Sequence, residues 1–566
     1  MKKPANIVYG LEEAPPPLVT AGNAVQHVGL IAINLVYPLI VFRLANVPVS
    51  GVANLIAIGL MVLGAGTVLQ ASKIGPVGTG YLCPAAFTAA YLSPSILAVK
   101  AGGLPLLFGM TFFAGAVEGL FSRLLNRMRP FFPTEISGLV IFMIGISAGM
   151  AGLRLLLGGH SNPATPAEWA VVAVTLVSMV ALNVWGRGIV RMLCALEGLV
   201  IGYVTAALLG LFSRGQFESV ERVSWIALPG LHHSGWSFDL ALVAPFVIAS
   251  LAVAMKAVGT IAVCQRMNDA DWVRPDMRSA ARGVLTDGVT SMISGLAGAL
   301  GTTTSTPSVG LASATGVASR YVAYAIGGLF IALGLTPKLA TLLAVMPRAV
   351  MVAALLFTIF FIVVNGLQVI TSRLLDARRT LVIGAAIVAG MAIEVFPLIG
   401  SAAPPGLAPL VGSSFVFSTL VALLLNFLFR IGVKQTATFQ VESAPVDPVE
   451  LDQFLEINGA TWGARRDVID RAKFNLAQSL EVVLDSCDPQ GPVDIAASFD
   501  EFNLDLRVSY VGPAIELPMR RPTNEEIMES EEGHRRLAGF MLRRFADRVS
   551  ATHRNRRSTV LFHFDH

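Results

Sequence analysis

The chain is short of charge. Asp, Glu, Lys and Arg make up only 14% of its 566 residues, against a hydrophobic share of 54%. Soluble domains carry about a quarter charged residues, so a wholly soluble fold is excluded. The net charge of +4 is too small to argue for nucleic-acid binding. Cysteine is scarce and scattered: Cys83, Cys194, Cys264 and Cys487 form no CxxC pair and have no His cluster nearby. That leaves neither a disulfide framework nor a metal site, and no cofactor is expected. No Walker motif ends in Lys-Ser/Thr, so an ATP-driven pump is not supported. No cleavable signal peptide is evident after Met1-Lys2-Lys3-Pro4, so the first apolar span is expected to insert and remain.

What the chain has in excess is long apolar runs. Up to Lys434 it is a succession of blocks of roughly 20 residues, each long enough to cross a bilayer. The expected fold is an all-α polytopic membrane protein with a small α/β cytoplasmic domain. We read fourteen spans in two halves of seven, 18–213 and 238–432, inside a membrane domain at 18–434. A short N-terminal segment, 1–17, precedes it, and a domain with interspersed acids and bases, 435–566, follows. The basic clusters Arg123 and Arg127, Arg187 and Arg191, and Arg266, Arg278 and Arg282 all fall on one side of this count. The positive-inside rule then predicts a multi-pass protein of a bacterial-type inner or plasma membrane with both termini cytoplasmic.

Two spans are poor as continuous helices: the third, 80–99, and the tenth, 304–318. Gly78-Thr79-Gly80-Tyr81-Leu82-Cys83-Pro84 opens one, and Gly301-Thr302-Thr303-Thr304-Ser305-Thr306-Pro307-Ser308 opens the other. Irregular backbone survives at membrane depth only where protein or a wet cavity satisfies it. Interrupted segments at matching positions of two halves point to an inverted repeat with the solute site at the repeat interface. Ser305, Thr306, Ser308 and the amides of Val309 and Gly310 would line the start of the tenth segment, where the helix dipole favours an anionic edge.

Polar residues inside other spans are the remaining candidates. Gln26 and His27 lie in the first span, where they either brace helices or line the site. Lys256 sits mid-span in the eighth. It either pairs with a buried acid such as Glu118, Glu197, Asp287 or Glu394, attracts an anionic substrate, or loses its proton during the cycle. Asp287, near the start of the ninth span at 283–300, reads as a helix-entry residue. Glu118, Asp287 and Glu394 are proton-coupling candidates, with none preferred.

Several of these patterns resemble a known family, the nucleobase–ascorbate transporters (xanthine/uracil permeases), over about residues 8–432. Tyr9-Gly10-Leu11, Pro15-Pro16 and Gln26-His27 are similar to its entry and first-helix Gln-His pair. Phe132-Pro133-Thr134-Glu135-Ile136-Ser137-Gly138 with Ile144-Gly145-Ile146-Ser147 resembles its fifth helix. Gly310-x4-Thr315-Gly316 resembles the second part of its signature, in which Asn-x-Gly-x4-Thr follows Gln, Glu or Pro. The resemblance implies a core and a gate domain built from inverted repeats, often as a homodimer in the lipid. It also implies secondary transport, by alternating access, of a purine-type nucleobase or related heterocycle of the xanthine, urate and uracil class, coupled to a cation such as the proton. The substrate-binding candidates are then Gln26, His27, Cys83, Lys256, Thr260, Thr306, Ser308, Val309 and Gly310.

Two departures stand out. Ser308 replaces the signature Asn. Lys256 occupies the place of an eighth-helix glutamate, and Thr260 that of a second acid, so neither recognition of a neutral base nor proton coupling through that glutamate carries over. Two other functions stay open: a transporter of a small organic or inorganic anion with Lys256 as fixed counter-charge, and a solute sensor signalling through the C-terminal domain. That domain reads as helix from Arg465 to Cys487, strand over 504–510, helix from Gly533 to Phe540 and strand over 558–564. It faintly resembles a degenerate histidine-kinase-type ATPase, with Asn475 as the nearest match to that fold's Asn and no acid at Tyr510-Val511-Gly512. A regulatory or dimerising role is expected of it; an anti-sigma-antagonist type domain is the other reading.

Overall fold

The computed structural model describes residues 3–128, 133–157, 163–212, 214–230, 234–272, 275–371, 375, 377–396, 403–404, 408–429, 435–441, 448–462, 464, 466–487, 489–500, 503–513, 515, 517–522, 536–537, 539–543, 546–554 and 556–565. It divides into two compact units, Met1–Phe427 and Leu428–His566. Phe132 of the motif above and Gly533–Arg535 and Ala538 of the expected tail helix lie outside the described residues.

The first unit is helical. Its helices are α1 Pro17–Ala32, α2 Val36–Leu44, α3 Val49–Ala71, α4 Leu92–Met128, α5 Thr134–Leu157, α6 Pro166–Trp185, α7 Ile189–Leu208 and α8 Arg214–Glu221. There follow α9 Val243–Asn268, α10 Met277–Ala297, α11 Thr306–Thr315, α12 Arg320–Gly334, α13 Pro337–Ala344, α14 Arg348–Ile370, α15 Ala377–Val395 and α16 Ser414–Phe429. Among the described residues eight helices are long and apolar enough to cross a membrane, or nine if α12 and α13, bent by 77°, count as one span. The other segments are short, broken or carry charge, as α10 does with Arg278, Arg282 and Asp287.

Helices pack in close pairs, α3 on α12, α4 on α10 and α5 on α14, and small residues allow it. A Cβ on Gly115 of α4 would lie 2.5 Å from the Gly288 carbonyl of α10, and one on Gly64 of α3 would lie 2.6 Å from the Gly327 carbonyl of α12. Without a hydrophobic drive between helices in lipid, such backbone approach is what holds them. α4 is broken at Gly102 and Gly103, and Gly103 takes φ 68°, open to glycine at little cost.

Two three-residue strands, β1 Ala85–Phe87 and β2 Thr302–Thr304, lie buried among these helices. They pair antiparallel, Ala85 with Thr304 and Phe87 with Thr302, and the Ser305 amide donates to the Pro84 carbonyl at 2.8 Å. The sequence marked both stretches as breaks at helix starts. The structure makes each break an extended strand whose backbone groups satisfy the other's, as buried non-helical backbone requires. β-branched Thr302, Thr303 and Thr304 suit that conformation.

Residues 3–13 form a strap. Val8 and Tyr9 donate their amides to the Gly316 carbonyl at 2.8 and 3.1 Å, and the Ala318 amide returns to the Tyr9 carbonyl at 2.9 Å. Arg320 pairs with Glu12, and Lys3 with Glu13 at 2.7 Å. The hydrogen bond from Lys3, with a second from the Gly10 amide, holds the Glu13 carboxyl below the usual carboxylate range.

The second unit is a five-stranded antiparallel sheet of order β3-β4-β5-β7-β6, from β3 Gln435–Val441, β4 Val493–Phe499, β5 Asn503–Val511, β6 Arg548–Arg554 and β7 Arg557–Asp565. Burial alternates along β4, so one face turns inward. Helices α17 Pro448–Trp462 and α18 Arg466–Ser486 pack with it around Leu476, Val483, Leu506 and Phe562. Asn475 is buried in α18 and donates to the Arg471 carbonyl at 3.0 Å.

Candidate functional site

The start of α11 is the meeting point. Ser305 caps it, accepting from the Ser308 amide at 3.4 Å. From α1, His27 Nδ1 meets Ser308 Oγ at 2.5 Å, and both side chains are fully buried. From α9, Thr260 Oγ1 meets Thr306 Oγ1 at 2.7 Å. Lys256 lies one turn earlier on the same face of α9, and the Thr260 hydroxyl donates to its carbonyl at 3.0 Å. Three polar elements from distant parts of the chain thus converge on one helix tip. Gln26 is half-buried beside His27, and its Oε1 and the His27 Nε2 are buried without a hydrogen-bond partner among the described residues.

Asp287 corrects the sequence reading. It is no helix-entry residue, because α10 begins at Met277 and places Asp287 mid-helix, 3% exposed. The polar character of Met277–Arg282 hid that first turn and a half from a hydropathy reading. Its Oδ2 accepts from the Thr304 amide at 2.8 Å and the Thr303 hydroxyl at 3.3 Å, and its Oδ1 accepts from Gln70 Nε2 of α3 at 3.3 Å. Asp287 therefore ties α10 and α3 to β2.

Among the described residues the Lys256 ammonium has no ion pair, although Asp287 and Cys83 are its electrostatic neighbours. The candidate partner Glu394 belongs elsewhere: it pairs with Arg154 of α5 at 2.7 Å and accepts from Ser414 at 2.6 Å. It lines a cavity of about 1000 Å³ with Ser93, Lys100, Arg154, Arg348 and Ser413, a lining that does not include His27, Thr260, Thr306 or Ser308. Cys83 and Val309 share a buried apolar cluster with Leu11, Ile261 and Cys264, which gives both a packing role. The Val309 amide is spent on the Ser305 carbonyl at 3.2 Å. Gly310 is exposed with open space where a Cβ would stand. Glu118, on α4, is fully buried.

Sequence reasoning missed Gln70 and the Asp287 contact it makes, although a glutamine near the end of an apolar span is a readable signal. It also missed the pairing of Glu135, in the fifth-helix motif, with Arg379 of α15 at 2.9 Å.

The family model for xanthine and uracil permeases, described as a Permease family, matches residues 21–399. The chain belongs to this family. This permease is a membrane transporter, not an enzyme. It is 28% identical over 434 residues to a putative purine permease of Clostridium perfringens, covering 75% of this chain and 93% of that one. It is 26% identical over 443 residues to xanthine permease XanP of Escherichia coli (strain K12), covering 75% and 95%. It is 26% identical over 438 residues to uric acid permease PucJ of Bacillus subtilis (strain 168), again covering 75% and 95%.

Proposed function

We propose that this permease is a secondary active transporter of a purine-type heterocycle of the xanthine and urate class, coupled to a cation and working by alternating access. The observation that carries the reading is the convergence of the His27–Ser308 and Thr260–Thr306 contacts on the tip of α11, beside the β1–β2 pair and a Lys256 without an ion pair among the described residues. Hydroxyls, an imidazole and an amide suit a planar solute with donors and acceptors on several edges. The relatives named for purine, xanthine and uric acid support that solute class. Gln26, His27, Lys256, Thr260, Thr306 and Ser308 are the residues assigned to bind it.

The repeated order supports fourteen segments in two inverted halves. α3 leads into β1 and a short helical stretch that breaks at Gly102, and α10 leads into β2 and the short α11. Rocking of one helix bundle against the other would expose the site alternately. In this reading both termini are cytoplasmic, and the Leu428–His566 unit is a regulatory or dimerising appendage.

The absence of an ion pair at Lys256 among the described residues favours a second, narrower reading: the solute is an anion, and Lys256 is its counter-charge. Uptake of labelled xanthine, urate and uracil into proteoliposomes, beside a panel of small carboxylates, tests both. Saturable uptake of xanthine or urate supports the proposal. Uptake of carboxylates alone leaves the anion reading, and uptake of none of them sinks both.

A further inference from the structure

Among the described residues of the membrane unit five carboxyl side chains are buried: Glu118, Glu135, Glu168, Asp287 and Glu394. Four of them meet donors. Glu135 pairs with Arg379, Glu168 with Arg348, Glu394 with Arg154, and Asp287 accepts from Gln70, Thr303 and the Thr304 amide. Glu118 differs from them all: it is 0% exposed and neither of its oxygens has a hydrogen-bond partner among the described residues. It lies where α4 and α10 touch backbone to backbone through Gly115, Gly119 and Gly288. The titratable groups that act on it are Asp287 of α10 and Tyr91, from the turn ahead of α4. α9 presents Ser250, whose hydroxyl donates to the Ala114 carbonyl at 3.0 Å, with Lys256 six residues further on.

An ionised carboxylate without donors in a water-excluded helix interface is costly enough to take up a proton instead. A metal cation is a poor alternative there, since the surrounding helical carbonyls are committed to their own ladders and a hard cation needs several oxygens. We infer that Glu118 is the proton-binding site that couples transport. It holds the proton as a neutral acid when closed off, takes it from one side of the membrane and releases it to the other as the bundle moves. The same comparison removes Glu394 and Asp287 from that role, because both are locked by donors. This inference rests on the proposed transport of a nucleobase.

The test uses the full chain in proteoliposomes, with xanthine and urate as probes and either a pH or a sodium gradient imposed. One pH unit supports roughly tenfold accumulation at one proton per solute. Glu118→Gln, which mimics the neutral acid, is expected to reduce that ratio to unity and abolish dye-reported proton entry, while exchange of labelled for unlabelled solute persists. Infrared spectroscopy of the wild type should show a protonated carboxyl band that E118Q lacks. Wild-type accumulation by E118Q, loss of exchange along with accumulation, accumulation driven by sodium alone, or no E118Q-sensitive carboxyl band would each overturn the assignment. Should the wild type carry no nucleobase at all, the proposed function falls, and the infrared band still reports on Glu118 separately.

Discussion

His27 and Ser308 stand 281 residues apart in sequence and meet at 2.5 Å, imidazole Nδ1 against hydroxyl, with no solvent exposure on either. The contact joins the first helix of the chain to the tip of a short helix that starts from a buried strand. This contact gives the Ser308 hydroxyl a structural partner. Removing the hydroxyl leaves a buried ring nitrogen unsatisfied, at about 1–3 kcal/mol. As Ser308 is also assigned to bind the solute, losing that hydrogen bond in Ser308→Ala is expected to raise the KM for the transported purine by roughly tenfold, and Ser308→Thr by less. Concentration-dependent uptake checks this; equal KM values for Ala and Ser would remove Ser308 from the site.

Among the described residues Lys256 has no ion pair, so its charge is available to a solute. Replacing it with Glu should turn preference from urate toward neutral uracil, with the ratio of the two uptake rates changing by on the order of tenfold or more, as expected for a charged hydrogen bond. Paired initial-rate measurements decide it, and an unchanged ratio would place Lys256 outside the solute's reach.

Asp287 collects an amide, a hydroxyl and a carboxamide from β2 and α3. Asn in its place presents an NH2 to at least one of those donors, and the expected loss is about 1–3 kcal/mol. Thermal unfolding in detergent should show a lower Tm for Asp287→Asn, and a smaller decrease for Gln70→Ala. The neighbouring Gly288→Ala should also destabilise, since its Cβ would meet the Gly115 carbonyl and the Gly119 amide at 2.7 Å and backbone cannot yield as a side chain does. A wild-type Tm in all three would refute this account of the α3–α10–β2 junction.

The strap at residues 3–13 is expected to respond to acid. The folded-state pKa of Glu13 is lowered, by the hydrogen bond from Lys3 and then by that from the Gly10 amide, from an ordinary value of 4.5. Its contribution is therefore fully present above that value and fades as pH falls through the lowered one. Exchange of the Val8 and Tyr9 amides, corrected for intrinsic pH dependence, should accelerate over that acidic window. Lys3→Gln should show a weaker acid response, and protection independent of pH would exclude the pair as a clasp.

How much of this was legible in the chain differs from feature to feature. The apolar runs, the two interruptions and the change of character after Lys434 follow from composition and spacing, because lipid tolerates so few sequence patterns. His27, Ser308 and Lys256 stood out for the same reason: polar side chains in apolar spans need a cause. Asp287 was misplaced because Arg278 and Arg282 mask the first turns of α10 from any hydropathy count. Glu118, Glu197 and Glu394 were indistinguishable as lone acids in apolar surroundings.

Amino-acid order by itself determined that this chain is a membrane protein with two interrupted apolar segments, since bilayer length and the scarcity of polar residues leave little else. Only the tertiary structure decided which groups face one another. It paired β1 with β2, brought α1 and α9 to the tip of α11, and tied Glu394 to Arg154 while leaving Glu118 without a donor among the described residues. The physical reason is that hydrogen bonds and ion pairs act over a few ångströms between residues hundreds of positions apart, a proximity that periodicity within one helix does not encode.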